Sequence, residues 1–251
     1  MFILPINRDL DTDSRPYALI SIAVLNAMVL VATYVSGDPT QIYREYGFIP
    51  AHPHLLNLLT SMFLHAGFWH LAGNTWFLWM FGKEVENSVG PALFVLIYLA
   101  CGFGGSLVHY ALNNRSPLPC VGASGAISGV AGFFFVLFTR ADFDLVFYLG
   151  WIRLGRVESH TTPAVGAWIG EQTLLGLLRQ AWHFSSTAFW AHVGGFATGL
   201  VAAFCFKTLI PLDSNGMPIN RPWFIPADST EKPIDSGSIT ELKTLDLFFL
   251  R

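Results

Sequence analysis

Two side chains with acid–base chemistry lie inside long apolar segments of this sequence. Ser124 lies within residues 122–125 (GASG), and His192 lies within residues 191–195 (AHVGG). Polar groups are costly to keep in hydrocarbon unless they face a partner or water. A serine hydroxyl becomes an effective nucleophile when a base removes its proton, and neutral imidazole is a suitable base. The pair therefore predicts a serine hydrolase built inside a membrane.

Two more polar side chains could serve the same reaction. His70 and Asn74 are four residues apart, so a helix would present them on one face. Both can donate hydrogen bonds, and preorganised donors stabilise the oxyanion that forms when a hydroxyl attacks a carbonyl. The other interpretation is that they only link helices, as polar residues in membrane helices often do. We expect His70 and Asn74 to bind the oxyanion, together with the backbone N–H of Ser124.

The composition excludes an ordinary soluble domain. Hydrophobic residues make up 53% of the 251 residues and charged residues only 12%, whereas about a quarter of a soluble domain is charged. The net charge of −3 gives no indication of a nucleic-acid partner. Cys101, Cys120 and Cys205 lack the spacing of metal ligands. Neither a metal nor a cofactor is expected.

Six apolar segments approach the length of about 20 residues that crosses a bilayer as a helix. They are residues 18–35, 55–81, 91–112, 121–139, 163–178 and 188–206. Residues 144–156 become basic in their second half and are predicted to form an interfacial loop. The predicted fold is an all-α membrane protein, with a six-transmembrane-helix bundle in residues 17–209. A cytoplasmic segment, 1–16, precedes it, and a disordered cytoplasmic tail, 210–251, follows it.

The charges between these segments predict which way the bundle faces. Six spans put both termini on one side, and that side receives eleven of the 14 Lys and Arg residues. Cytoplasmic loops are enriched in these residues, so both termini are expected in the cytoplasm, with the protein in the plasma (bacterial inner) membrane. Ser124 would then lie about 5 Å, and His192 about 6 Å, below the outer ends of their spans. The two residues are expected at one depth.

Small residues at helical spacing follow both side chains. Gly125 and Gly129 form such a pair in the fourth predicted span, and Gly195 and Gly199 form another in the sixth. Glycines at this spacing let the backbones of two transmembrane helices touch. On its own this pattern indicates helix packing. Packing along these faces would also press the imidazole against the serine hydroxyl.

The sequence resembles the rhomboid family of intramembrane serine proteases. The resemblance rests on three separated motifs in residues 64–74 (LHAGFWHLAGN), 122–125 (GASG) and 191–196 (AHVGGF), and it extends over about residues 17–209. It implies a six-helix fold and a reaction that needs no cofactor. The implied substrates are single-span membrane proteins, cut within or next to their transmembrane helix near the outer face of the bilayer.

The resemblance also implies a role for each matching residue. Ser124 matches the nucleophile of the family, and His192 matches its general base. His70 and Asn74 match the residues that stabilise the oxyanion. Gly122 matches the glycine that shapes the turn where the substrate carbonyl binds.

Ser128 departs from the family pattern. Some members have an aromatic residue at this position, one turn after the nucleophile, and it stacks on the base. With a serine here, the sequence does not identify what orients the imidazole of His192. Glu171 is a weak candidate, because it is predicted to lie nearer the middle of its span.

Two other functions are left open by the residues. A transporter could use the histidines to relay protons or to bind a metal ion, although Glu171 is the only carboxylate in the six segments. A non-catalytic membrane adaptor could bind single-span proteins without cutting them. The sequence predicts no oligomeric state.

Overall fold

The computed structural model describes residues 2–7, 15–149, 152–182, 188–213 and 217–219. Within these residues the chain forms eight helices and three strands. In chain order they are β1 (Phe2–Asn7), α1 (Tyr17–Val35), α2 (Pro39–Tyr46), α3 (Leu55–Thr60), α4 (Phe68–Val89), α5 (Pro91–Asn113), α6 (Ser124–Leu137), β2 (Asp142–Leu149), β3 (Ile152–His160), α7 (Thr161–Trp182) and α8 (Phe189–Leu209). The six long helices form the bundle, and α2 and α3 lie in the connection between α1 and α4.

Local sequence signals set several of the helix ends. α4 gives way to α5 at Gly90, which has a φ of +80°, and Pro91 then supplies the first helical residue of α5. Asp38 caps α2, because its Oδ1 accepts hydrogen bonds from the N–H groups of Thr40 (3.0 Å) and Gln41 (3.1 Å). These ends follow directly from the residue types.

Three sets of contacts place the start of α1 and the ends of α4, α6 and α8 at the same end of the bundle. The Glu86 carboxylate, late in α4, accepts hydrogen bonds from the N–H groups of Ala18 (2.9 Å) and Leu19 (2.8 Å) at the start of α1. β1, which precedes α1, pairs antiparallel with β2, which follows α6. Ser88 Oγ, at the end of α4, lies 3.2 Å from the sulfur of Met217, which follows α8. We call this the sheet end of the bundle, and the opposite end, which holds α2 and α3, the loop end.

Three of the described helices, α1, α5 and α8, are long and apolar enough to cross a membrane. α6 is also apolar but has only 14 residues. The chain is therefore a helical membrane bundle, as the composition predicted. The number of spans, six, stays a prediction.

The second predicted segment, residues 55–81, is not a single helix. α3 is followed by the non-helical residues 61–67, and α4 starts only after Gly67, whose φ is +156°. The N–H of Gly122 donates to the carbonyl oxygen of Ser61 (2.9 Å), so the loop before α6 satisfies part of this segment's backbone. The hydropathy of one segment could not reveal a hydrogen bond to a loop so distant in the sequence.

The prediction of an interfacial loop at residues 144–156 is wrong. β2 and β3 form an antiparallel hairpin, and β1 adds a third strand on the other side of β2. Phe143 and Val146 are buried, and the ring of Phe143 packs edge-on against Phe134 of α6 (centroids 5.9 Å apart). The sheet forms because its apolar side chains cover the end of the helices. The predicted N-terminal segment 1–16 thus contains its third strand.

α6 and α8 pack backbone to backbone, as their glycines predicted. A Cβ atom added to Gly195 would overlap the carbonyl oxygen of Gly125, and one added to Gly199 would overlap that of Gly129. We call these four residues the glycine interface. It brings the first turn of α8 beside the first turn of α6.

The predicted disordered tail lies mostly outside the described residues, which include nothing beyond residue 219. Its first residues form an isolated antiparallel bridge between Leu212 and Pro218. The N–H of Met217 donates to the Asp213 carboxylate (2.9 Å). The described start of the tail therefore folds against the sheet end.

Candidate active site

The hydroxyl of Ser124 and the imidazole of His192 are in hydrogen-bond contact. Nε2 of His192 lies 2.8 Å from Oγ of Ser124. Ser124 is the first residue of α6. The helix therefore begins at the serine, whereas the predicted segment began three residues earlier, at residue 121. His192 lies in the first turn of α8. Both side chains are partly exposed at the loop end. Their contact places them at the same level of the bundle, and their depth in the membrane stays a prediction.

α7 supplies the contacts on the other side of the imidazole. Oε1 of Gln172 lies 2.6 Å from Nδ1 of His192, and the Trp168 ring lies 28° from parallel to the imidazole, with centroids 6.4 Å apart. Neither Gln172 nor Trp168 is among the predicted site residues. Their four-residue spacing was the available signal, since it puts an amide and an indole on one helix face. Glu171, the carboxylate considered for this place, is exposed on α7.

Ser128 does not contact the imidazole. It is buried, and its hydroxyl donates to the backbone carbonyl of Ser124 (2.6 Å). The ring stacked on the imidazole is Trp168, so it comes from α7 rather than α6. Phe189 of α8 meets the same imidazole edge-on, with centroids 6.5 Å apart.

His70 and Asn74 face the backbone just before the serine. A Cβ atom added to Gly122 would lie 3.0 Å from Nε2 of His70 and 3.8 Å from Nδ2 of Asn74, and the φ of +128° at this glycine is one that other residues rarely adopt. Nδ1 of His70 accepts the N–H of Ala66 (3.3 Å), so the ring proton is on Nε2. Nδ2 of Asn74 donates one hydrogen bond, to the carbonyl of His70 (3.0 Å), and has a second proton to offer. The arrangement puts two side-chain donors beside Gly122.

His65 lies behind His70 rather than away from it. One continuous helix over residues 55–81 would turn His65 about 140° away from the His70 face. Residues 61–67 are not helical, however, and the two rings lie 5.2 Å apart edge to face. The carbonyl of His65 accepts a hydrogen bond from the hydroxyl of Tyr43 in α2 (2.9 Å). The side chain is fully buried.

These side chains line one cavity of about 580 Å³. Its polar lining includes Ser124, His192, His70 and Asn74, and its apolar lining includes Phe77 and Trp168. A nucleophile, a base and hydrogen-bond donors therefore face the same space. Such a site can attack a carbonyl carbon and stabilise the resulting oxyanion.

The structure offers no metal site within the residues that it describes. No group of three or more His, Cys, Asp or Glu side chains there could hold an ion. Cys101, Cys120 and Cys205, all among the described residues, form no disulfide with one another.

Comparisons with known proteins agree on one family. The family model described as the Rhomboid domain matches residues 52–208. The chain is 49% identical over 75 residues to Rhomboid protease GluP of Bacillus subtilis, covering 30% of this chain and 14% of that protein. It is 30% identical over 157 residues to Rhomboid protein 1, mitochondrial, of Saccharomyces cerevisiae, covering 58% and 40%. It is also 30% identical over 154 residues to Rhomboid-like protein 11, chloroplastic, of Arabidopsis thaliana, covering 59% and 51%. The chain spans about half or less of the length of these relatives.

Proposed function

This chain belongs to the rhomboid family of integral membrane proteins, and from that premise we propose that it is an intramembrane serine endopeptidase that uses Ser124 and His192. One observation supports the proposal above all others. Nε2 of His192 lies 2.8 Å from Oγ of Ser124, in a cavity that two further hydrogen-bond donors share. Some proteins of the rhomboid type lack activity, and those lose the serine or the histidine. This chain has both.

In the proposed reaction, Oγ of Ser124 attacks the carbonyl carbon of the scissile peptide while Nε2 of His192 takes the hydroxyl proton. The negative charge moves to the former carbonyl oxygen, which accepts hydrogen bonds from His70, Asn74 and the N–H of Ser124. The imidazolium then gives its proton to the leaving amine, and the C–N bond breaks. Water, deprotonated by the same imidazole, hydrolyses the acyl-enzyme and restores the serine. Gly122 leaves room for the substrate carbonyl.

The proposed substrates are single-span membrane proteins, cut within or next to the helix near the outer face. The position of the serine at the loop end of α6 supports this depth. A helix in lipid protects its peptide bonds by internal hydrogen bonds, so the substrate must unwind locally before cleavage. The catalytic domain is proposed to cover residues 17–209, with no cofactor.

The sheet end, with both termini, is proposed to face the cytoplasm of the plasma (bacterial inner) membrane. Arg15, Arg140 and Arg153 are exposed at this end, and cytoplasmic segments are enriched in such residues. Accessibility of Arg153→Cys to a membrane-impermeant thiol reagent in intact cells tests the orientation. The unmodified chain is the control, because its own Cys120 is partly exposed at the loop end. Rapid labelling of Arg153→Cys from outside the cell, beyond that of the unmodified chain, would reverse the proposed orientation.

Labelling and cleavage together test the proposed activity. A fluorophosphonate probe should label the detergent-solubilised protein, and a single-span substrate in liposomes should be cut. Ser124→Ala and His192→Ala should abolish both, because the first removes the nucleophile and the second removes the base. Removal of triad residues in serine hydrolases lowers kcat by about 10⁴- to 10⁶-fold. Ser21→Ala and His52→Ala, at exposed positions, serve as matched controls.

The outcomes separate the candidate functions. Labelling and cleavage that survive Ser124→Ala would reject the protease. Binding of the single-span protein without any cleavage by the wild type would favour the adaptor instead.

A further inference from the structure

The imidazole of His192 contacts a neutral amide on the side away from the serine. Oε1 of Gln172 lies 2.6 Å from Nδ1, and Oγ of Ser124 lies 2.8 Å from Nε2. The two ring nitrogens therefore each have one partner, from α7 and from α6. A serine hydrolase commonly has a carboxylate in the place of this amide.

An amide oxygen can only accept a hydrogen bond, so this contact requires the proton on Nδ1. Nε2 then has a free lone pair pointing at the serine hydroxyl, which is the form that a general base needs. A group that bonds one ring nitrogen of histidine fixes the state of the other. We propose that Gln172 is a positioning residue, which holds His192 in the Nδ1–H tautomer and fixes the rotation of its ring. This inference rests on the proposed protease function and adds a residue to it.

A second contact from the same helix face supports this assignment. Trp168 precedes Gln172 by one helical turn, and its ring plane lies 28° from that of the imidazole. The indole limits tilting of the ring, while the amide limits rotation about its axis. On α6, the hydroxyl of Ser128 donates to its own helix backbone, so the contact of this helix with the imidazole comes from Ser124 alone among the hydrogen bonds of the described residues. The orientation of the base is thus decided by α7.

The choice of an amide over a carboxylate has a physical reason. An ionised side chain is costly within a membrane protein unless it is paired or faces water. Glutamine supplies the acceptor without that cost. It also stabilises the imidazolium less than a carboxylate would. A carboxylate at this position is therefore expected to change the pH range in which the enzyme is active. That change would distinguish a residue that orients His192 from one that only joins α7 to α8.

The alternative is that Gln172 only joins α7 to α8, as polar side chains do in membrane bundles. Both roles predict a lower unfolding temperature for Gln172→Met, which keeps the side-chain length but removes the acceptor. Only the positioning role predicts an effect on turnover. Losing one neutral hydrogen bond to the base should lower kcat about tenfold with KM unchanged.

The experiment uses the full chain in liposomes with a single-span substrate, and it measures kcat and KM from pH 5 to 9. Gln172→Glu retains the acceptor, so it should keep turnover at alkaline pH and move the acid limb of the kcat profile up by about one pH unit. Glu171→Gln, the exposed neighbour, should change neither quantity and serves as the control.

Wild-type kcat in Gln172→Met, or a Gln172→Glu profile that superimposes on the wild-type profile, would overturn the inference. If Gln172→Met does not fold, the profile of Gln172→Glu decides alone. Ser124→Ala distinguishes the two levels of failure. Cleavage that survives Ser124→Ala rejects the proposed protease function itself. Cleavage that is lost in Ser124→Ala but is unchanged in both Gln172 variants rejects only the positioning role.

Discussion

The two sides of the candidate active site are held together by different kinds of contact. α6 and α8 meet through the glycine interface, where carbonyl oxygens of one backbone fill the space that side chains of the other would need. α7 reaches the site through two side chains, Gln172 and Trp168. Two of its three glycines, Gly166 and Gly170, face open space, and the third, Gly176, lies near Trp190 of α8. The backbone contact sets the distance between nucleophile and base, and the side-chain contact sets the orientation of the base.

The largest expected effect comes from separating α6 and α8. Gly195→Ala inserts a methyl group where the carbonyl oxygen of Gly125 lies, and overpacking of this kind costs about 1–3 kcal/mol of stability. The displaced base should lower kcat about a hundredfold, as a misplacement near 1 Å can do. Thermal unfolding in detergent and cleavage of a single-span substrate measure the two effects.

Gly166→Ala is the matched control, because it adds the same methyl group to open space on α7. It should leave kcat unchanged and stability equal or higher by up to about 1 kcal/mol, since alanine favours helix. Equal changes of kcat and stability in Gly195→Ala and Gly166→Ala would contradict the distinction between the backbone contact of α6 with α8 and the side-chain contact of α7.

A smaller effect is expected from weakening the α7 side. Trp168→Ala removes the ring beside the imidazole, and such ring contacts contribute about 0.5–1.5 kcal/mol. We expect kcat to fall about three- to tenfold. The unfolding temperature should also fall, because the Trp168 ring packs against Phe77 and Phe196 as well. Trp168→Phe should recover part of the loss. Trp79→Ala, at an exposed position of α4, controls for the removal of an indole, and an equal loss of kcat there would show that the Trp168 effect is not local.

Much of the site was predictable from sequence because its residues stand out from an apolar background. Four polar side chains stand in apolar segments: Ser124, His192, His70 and Asn74. The glycine spacing of α6 and α8 indicated which faces of these helices would meet. The structure brings these four side chains to one cavity. Their catalytic roles stay predictions until the variants above are measured.

Other parts were not predictable because they depend on partners distant in the sequence. Gln172 is one polar residue in a weakly apolar segment, and only its distance to His192 singles it out. The β2–β3 hairpin needs β1, more than 130 residues earlier, and a helix end to cover. The position of His65 beside His70 depends on the break before α4, which a hydrogen bond from the loop residue Gly122 stabilises and which hydropathy does not reveal.

The sequence by itself determined the membrane environment and the long helices, because transfer of side chains from water to lipid depends on residue type and helical spacing alone. It also predicted Ser124 and His192 as the reactive pair, a role that stays a prediction. Tertiary structure alone decided which side chain of α7 meets the base, where α4 starts and how the N-terminal strand is used. Those choices depend on hydrogen bonds whose geometry exists only once the helices have packed, since a polar group accepts whichever partner lies within about 3 Å.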